Sequence, residues 1–200
     1  MEQEKIPGSE SGNGNEAEAI KKKGFTVIDT IEIGNEPKDF EGIRDALKKK
    51  GVLLSSNTEM YLTENPIIFQ DEKEEIDILE MTLTNLGFDT SLSASINYKE
   101  IKKCALELGL NEITFESFFK FIIKQRDLQG KMFRAQIANE DVSLTFSDVP
   151  EHSIVHFDYK EDKKTINYKG GMMISLADEY EDEVRYSKGQ TFLLSRKHEK

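Results

Sequence analysis

One cysteine, two nearby histidines and one run of carboxylates are the side chains of this chain whose types could carry chemistry. Cys104 could act as a thiolate nucleophile. His152 and His156 could share a metal ion, and the run from Asp178 to Glu183 could hold a hard cation through its oxygens. The spacing argues against each. Cys104 falls on one helical face with Ile101, Ala105 and Leu108, which reads as a buried structural thiol. His156 lies within, and His152 just before, a strand-like stretch, Ser153 to Phe157; four residues along a strand span about 13 Å, too far for one ion. The acidic run reads as a solvated loop. No metal and no cofactor are expected.

The elements that would position such groups follow from periodicity. Phe25 to Ile33 is β-rich and partly alternating. Phe40, Ile43 and Leu47 recur at helical spacing, and Gly51 ends that segment. Val52–Leu54 reads as a core strand, and Thr58 to Gln70, with Pro66, as a long loop. Ile76, Leu79, Leu83 and Leu86 fit one face of a helix closed by Gly87, with Asp71, Glu72, Glu74 and Glu75 at its start. Phe88, Thr90, Leu92, Ala94 and Ile96 alternate as in a half-buried strand. Asn97 and Glu100 form a capping box for the helix that Gly109 closes. Phe115 to Ile123 is almost continuously apolar and reads as a central strand covered on both faces. Met132 to Phe146 reads as a β-hairpin turning near Asn139. Alternating strands and helices with short links predict an α/β layered sandwich, with a mainly parallel sheet flanked by helices.

Composition bounds the function. The chain has 200 residues and a net charge of −11, which opposes binding to a phosphate backbone, so no nucleic-acid partner is expected. The clusters Lys21–Lys23 and Lys48–Lys50 read as a solvated tail and a helix C-terminus. A single Cys cannot make an internal disulfide, and no apolar run approaches about 18 residues; a cytoplasmic protein with no membrane contact is expected. Residues 1–23 are poor in large apolar side chains and read as a disordered polar tail. Residues 24–50 then form an N-terminal extension, and 51–200 a domain.

Several stretches of that domain resemble the caspase family. Gly51 to Asn57 resembles the opening strand of its large subunit. Ile76 to Phe88, closing in Leu86-Gly87-Phe88, is similar to the first helix, and Ile96 to Ile101 to the start of the second. Lys131 to Phe146 resembles the hairpin after the catalytic His, and Val184 to Phe192 a stretch of the small subunit around an Arg. The resemblance covers about residues 50–195 and rests on the order of loose motifs.

Its departures imply a pseudoprotease. Caspase hydrolysis needs a thiolate, a His and oxyanion donors. In Ser117 to Arg126, Gln125 stands where the catalytic His would be, and no Cys follows Phe157 where the nucleophile belongs. Phe69 stands at the place of a substrate-binding Arg, and Arg185 alone matches a cleft Arg. The small-subunit part looks incomplete, which implies no caspase-type homodimer and an unfinished sheet edge near Phe192, Leu193 and Leu194. The resemblance thus implies a catalytically inactive modulator of apoptosis or related caspase signalling, with a caspase or caspase adaptor as partner.

Two other readings remain open. Glu181-Asp182-Glu183-Val184, followed by Gly189 and Phe192, resembles the Glu-x-Glu strand of ADP-ribosyltransferases, with Arg134 as a candidate early Arg and Glu183 as the glutamate that holds the nicotinamide ribose. The other is an α/β interaction domain unrelated to caspases.

Overall fold

The computed structural model describes residues 27–88, 96–140, 142–149, 154–156, 165–167, 171–178, 185–186 and 191–198. Strand β1 (Val27–Ile33) is followed by helix α1 (Phe40–Lys49), strand β2 (Val52–Leu54), helix α2 (Ser56–Glu64) and strand β3 (Glu74–Thr82). Next come β4 (Ile96–Asn97), α3 (Tyr98–Glu107), α4 (Phe115–Lys124), β5 (Met132–Gln136) and β6 (Val142–Val149). The chain ends with β7 (Ile154–His156), β8 (Thr165–Asn167), β9 (Gly171–Asp178), β10 (Arg185–Tyr186) and β11 (Thr191–Lys197).

These strands form two main sheets. Sheet A has the order β1-β3-β11 and is antiparallel throughout. Sheet B has the order β2-β9-β6-β5; only β2 and β9 run parallel in it. Two short antiparallel pairs, β4 with β10 and β7 with β8, complete the described strands. The mainly parallel, caspase-like sandwich is therefore not the fold. The architecture is mixed α/β, with an antiparallel sheet and a mixed one.

Two misread segments account for the difference. Glu74–Thr82 has apolar residues at helical spacing but is the middle strand of sheet A. Its two faces are both buried: Ile76 and Ile78 enter one core cluster, Leu79 and Met81 the other. Burial on both faces erases the alternation by which a strand is normally recognised. Phe115–Lys124 is the converse, a helix read as a strand. It touches β1 and α1, packs Phe115 6.0 Å from Tyr61 of α2, and packs Phe121 edge-on 5.0 Å from Phe133 of β5. Its one polar stripe, Glu116, Lys120 and Lys124 at i, i+4 and i+8, is mostly buried, so the apolar run around it resembles a doubly covered strand. Its start is nevertheless marked: Thr114 Oγ1 accepts from the Ser117 amide at 3.1 Å as an N-cap.

The stretch read as one long loop, Thr58 to Gln70, begins with α2, capped by the Ser55 hydroxyl accepting from the Thr58 amide. Local signals elsewhere hold. Both halves of the capping box on α3 form, with Glu100 N–H donating to Asn97 Oδ1 at 3.0 Å and Asn97 N–H to Glu100 Oε2 at 3.3 Å. β5 and β6 make the hairpin, with Asn139 at φ 63° in its turn. The strand read from Phe88 to Ile96 has residues 89–95 outside the described set, as does the tail at 1–23.

Of residues 24–50, read as an extension, 27–50 are described, and they contribute to the main core. Ile31, Ile33, Ile43 and Leu47 are buried in one cluster with Phe118, Phe119 and Phe146. Sheet A walls this cluster from a second one, in which Leu79, Met81, Phe192 and Leu194 meet Tyr98, Ile101 and Ala105 of α3.

Candidate functional site

Among the described residues, the positions singled out in the sequence do not converge. Gln125 caps the C-terminus of α4 as a latch. Its side-chain amide donates to Asp29 Oδ2 at 2.7 Å, and its carbonyl accepts from the Lys50 ammonium. Nothing in that setting asks for a general base. Phe69 is half-buried against the larger core cluster, a packing role. Arg185 lies in β10 opposite Asn97, its side chain outside the described set. Cys104 is half-buried on α3; burial pushes its thiol up, and Glu107 adds to the shift, the reverse of nucleophile activation. His156 lies in β7, while His152, Phe157, Glu181 and Glu183 fall outside the described residues.

Phe192, Leu193 and Leu194 are not an exposed edge. They are 2%, 2% and 1% exposed in β11. One side of that strand pairs with β3. Along the chain, Ser195 exchanges backbone bonds of 2.7 and 2.8 Å with Asn111. Two residues on, the Ile113 carbonyl accepts from Ala138 N–H at 2.9 Å, so the segment 111–113 stitches β11 to the β5–β6 turn. β11 is an edge strand of sheet A, but the Phe192–Leu194 side chains are core, and at Ser195 the outer edge is bridged by Asn111 from a segment 84 residues away.

What the tertiary structure does assemble are two buried ionic networks. Glu116, fully buried on α4, accepts from the Gly34 amide at 2.8 Å and from the Gln70 amide at 2.9 Å. It also pairs at 2.8 Å with Lys120, whose ammonium donates to the carbonyl and side-chain oxygens of Asn35. These bonds pin Gly34, Asn35 and Gln70 onto α4, a structural role. The sequence signal for it was the i, i+4 pair Glu116 and Lys120 inside an apolar run.

The second network centres on Asp77 of β3, cross-strand from Thr30 and Arg196. Asp77 Oδ1 accepts from the Thr30 hydroxyl at 2.8 Å and lies 2.7 Å from His198 Nδ1; Oδ2 accepts from Arg196 Nε at 3.1 Å. Burial alone would raise this carboxyl, but the hydrogen bonds from His198, Thr30 and Arg196 outweigh it and hold the group below its ordinary value. A carboxylate–imidazole pair serves catalysis when the other imidazole nitrogen faces a nucleophile. Here the neighbouring hydroxyl, Thr30, gives its hydrogen to Asp77 instead. Among the described residues no group of three or more His, Cys, Asp or Glu is placed to hold a metal ion.

Comparison with protein-family models, with curated proteins and with solved structures found no match. The site must be read from this chain's own geometry.

Two surface features remain. The first crosses the outer face of sheet B, where register places Leu53, Met173, Ser147 and Met132 in one cross-strand row. Leu53 and Met132 are 59% and 66% exposed, and Met173 is half-exposed between them. The adjacent row on the opposite face, Leu54, Ile174, Phe146 and Phe133, packs into the core. The second is a cleft of about 590 Å³ between the C-terminus of α1 and the α4–β5 connection. Among the described residues no helix is long and apolar enough to cross a membrane.

Proposed function

We propose that this chain is a non-catalytic interaction module that engages a partner protein through the outer face of sheet B. The observation that carries the reading is the row Leu53–Met173–Ser147–Met132, apolar but for Ser147, which leaves large side chains in water on a sheet whose other face is core. Rigid strands hold such a row in register at no further ordering cost, which suits a docking face. The buried charges of the described residues are spent on holding turns and strands, which supports binding rather than turnover. A net charge of −11 disfavours a second copy of the same chain, so the partner is a different protein with an apolar contact surface and low or positive charge.

The sequence resemblance names a partner class, a caspase or caspase adaptor, and hence modulation of caspase signalling. That proposal rests on motif order alone, now without the sheet through which caspase units pair. The test offers the purified chain to a panel of purified caspases and adaptors, and to a cell extract, each beside the Leu53→Asp/Met132→Asp variant. Both substituted side chains are exposed, so the fold should persist by circular dichroism. A partner that binds the native chain, is lost with the variant and is reconstituted from pure components supports the module. Partners that bind both forms equally would sink the sheet-face reading, and a panel in which no caspase binds would sink the caspase-directed one.

A further inference from the structure

The cleft beside α1 holds two cations that form no ion pair among the described residues. Its walls carry two cations, Lys50 and Arg126, and two acids, Asp127 and Asp148. Both acids accept from backbone amides of the α4–β5 connection: Asp148 Oδ2, across from β6, from Gly130 N–H at 2.7 Å, and Asp127 Oδ1 from Gln129 N–H at 3.2 Å. Neither forms an ion pair with Lys50 or Arg126. The Lys50 ammonium, half-buried, has one acceptor among the described residues, the backbone carbonyl of Gln125. An ammonium carries three donors, and a desolvated one lacking a counter-charge is unfavourable. Burial lowers its pKa accordingly. Arg126 is exposed and has no ion pair among the described residues. Leu128 and Met172 supply an apolar wall beside these cations.

We infer that this cleft is a binding site for a carboxylate-bearing peptide segment, with Lys50 and Arg126 receiving the carboxylate and Met172 and Leu128 an adjoining apolar side chain. A single negative charge suits the site better than phosphate. Two cations stand against two wall carboxylates, so a dianion meets repulsion that a carboxylate largely escapes, and the chain's overall charge opposes a polyanion. The inference goes beyond the sheet-face reading and stands on different residues.

Fluorescence anisotropy of a labelled, C-terminally amidated peptide carrying a single Glu beside a Leu in an Ala/Ser background, titrated with the full chain, tests it. Binding should weaken roughly tenfold or more in Arg126→Ala and in Lys50→Gln, and stay unchanged in the exposed neighbour Lys49→Ala. Lys50→Gln keeps a donor for the Gln125 carbonyl, and Arg126 is exposed, so Arg126→Ala remains decisive if Lys50→Gln misfolds. In NMR, the Lys50 side-chain signal should titrate at higher pH once the peptide is bound. The Leu53→Asp/Met132→Asp variant should bind the peptide normally, which separates this site from the sheet face. No binding, binding indifferent to Arg126→Ala, or stronger displacement by inorganic phosphate or a single-stranded oligonucleotide than by acidic peptide would overturn the assignment.

Discussion

Asp77 and His198 meet at 2.7 Å although they lie 121 residues apart, and the contact ties the end of β11 to the middle strand of sheet A. Asp77 is 3% exposed while its partners Arg196 and His198 reach the surface, so the carboxylate is buried and the cations that serve it are part-exposed. Its folded pKa is depressed. The stability it contributes is therefore present above the unfolded value of about 4 and is lost as pH falls through the lower folded value. Asp77→Asn should cost about 1–3 kcal/mol at pH 7. In urea unfolding at successive pH values, the gap between native and variant chains should close on acidification below about pH 4. A gap independent of pH would remove the linkage.

Glu116 and Lys120 should behave as one unit. Glu116 holds two backbone amides besides its ion pair, so Glu116→Ala is expected to cost about 3–5 kcal/mol, more than Lys120→Met. Because each is left buried without its partner, the double variant should cost less than the sum by about 0.5–3 kcal/mol. Additive costs in equilibrium denaturation would show that the two side chains act separately.

Gly34 and Gly109 share φ +74° but differ in surroundings. A Cβ at Gly34 would lie 2.0 Å from the Glu72 carbonyl oxygen, whereas at Gly109 nothing lies within 4 Å. Gly109→Ala should cost about 1–2 kcal/mol, the left-handed conformation alone. Gly34→Ala must also displace backbone and should cost clearly more. Equal shifts of the two variants in thermal melts would contradict the close approach.

Asn97→Ala removes the side-chain half of the capping box and should destabilise by about 1 kcal/mol. Amide exchange in the first turn of α3 should quicken selectively; unchanged protection there would mean the cap is dispensable.

Short-range features were legible in the chain. The capping box at Asn97 and Glu100, the hairpin turning at Asn139, and the glycine ending α3 each rest on contacts within a few residues. Residue type and spacing determine such contacts almost alone. Lys50 was likewise readable as the end of a basic helix terminus. Its meeting with Gln125 and Arg126 across a cleft was not, since 75 residues separate Lys50 from Gln125.

The sequence by itself determined where local turns, caps and the hairpin fall, and that charge opposes a polyanionic partner. Only the tertiary structure decided that Glu74–Thr82 is a strand and Phe115–Lys124 a helix. It also decided that Phe192–Leu194 is core, and that Leu53 and Met132 face water. The physical reason is enclosure. A segment buried on both faces, or whose polar stripe is itself buried in ion pairs, no longer shows the contrast of apolar and solvated positions that reports its backbone period. The secondary structure of such a segment is settled by which partners close around it, and those partners come from distant parts of the chain.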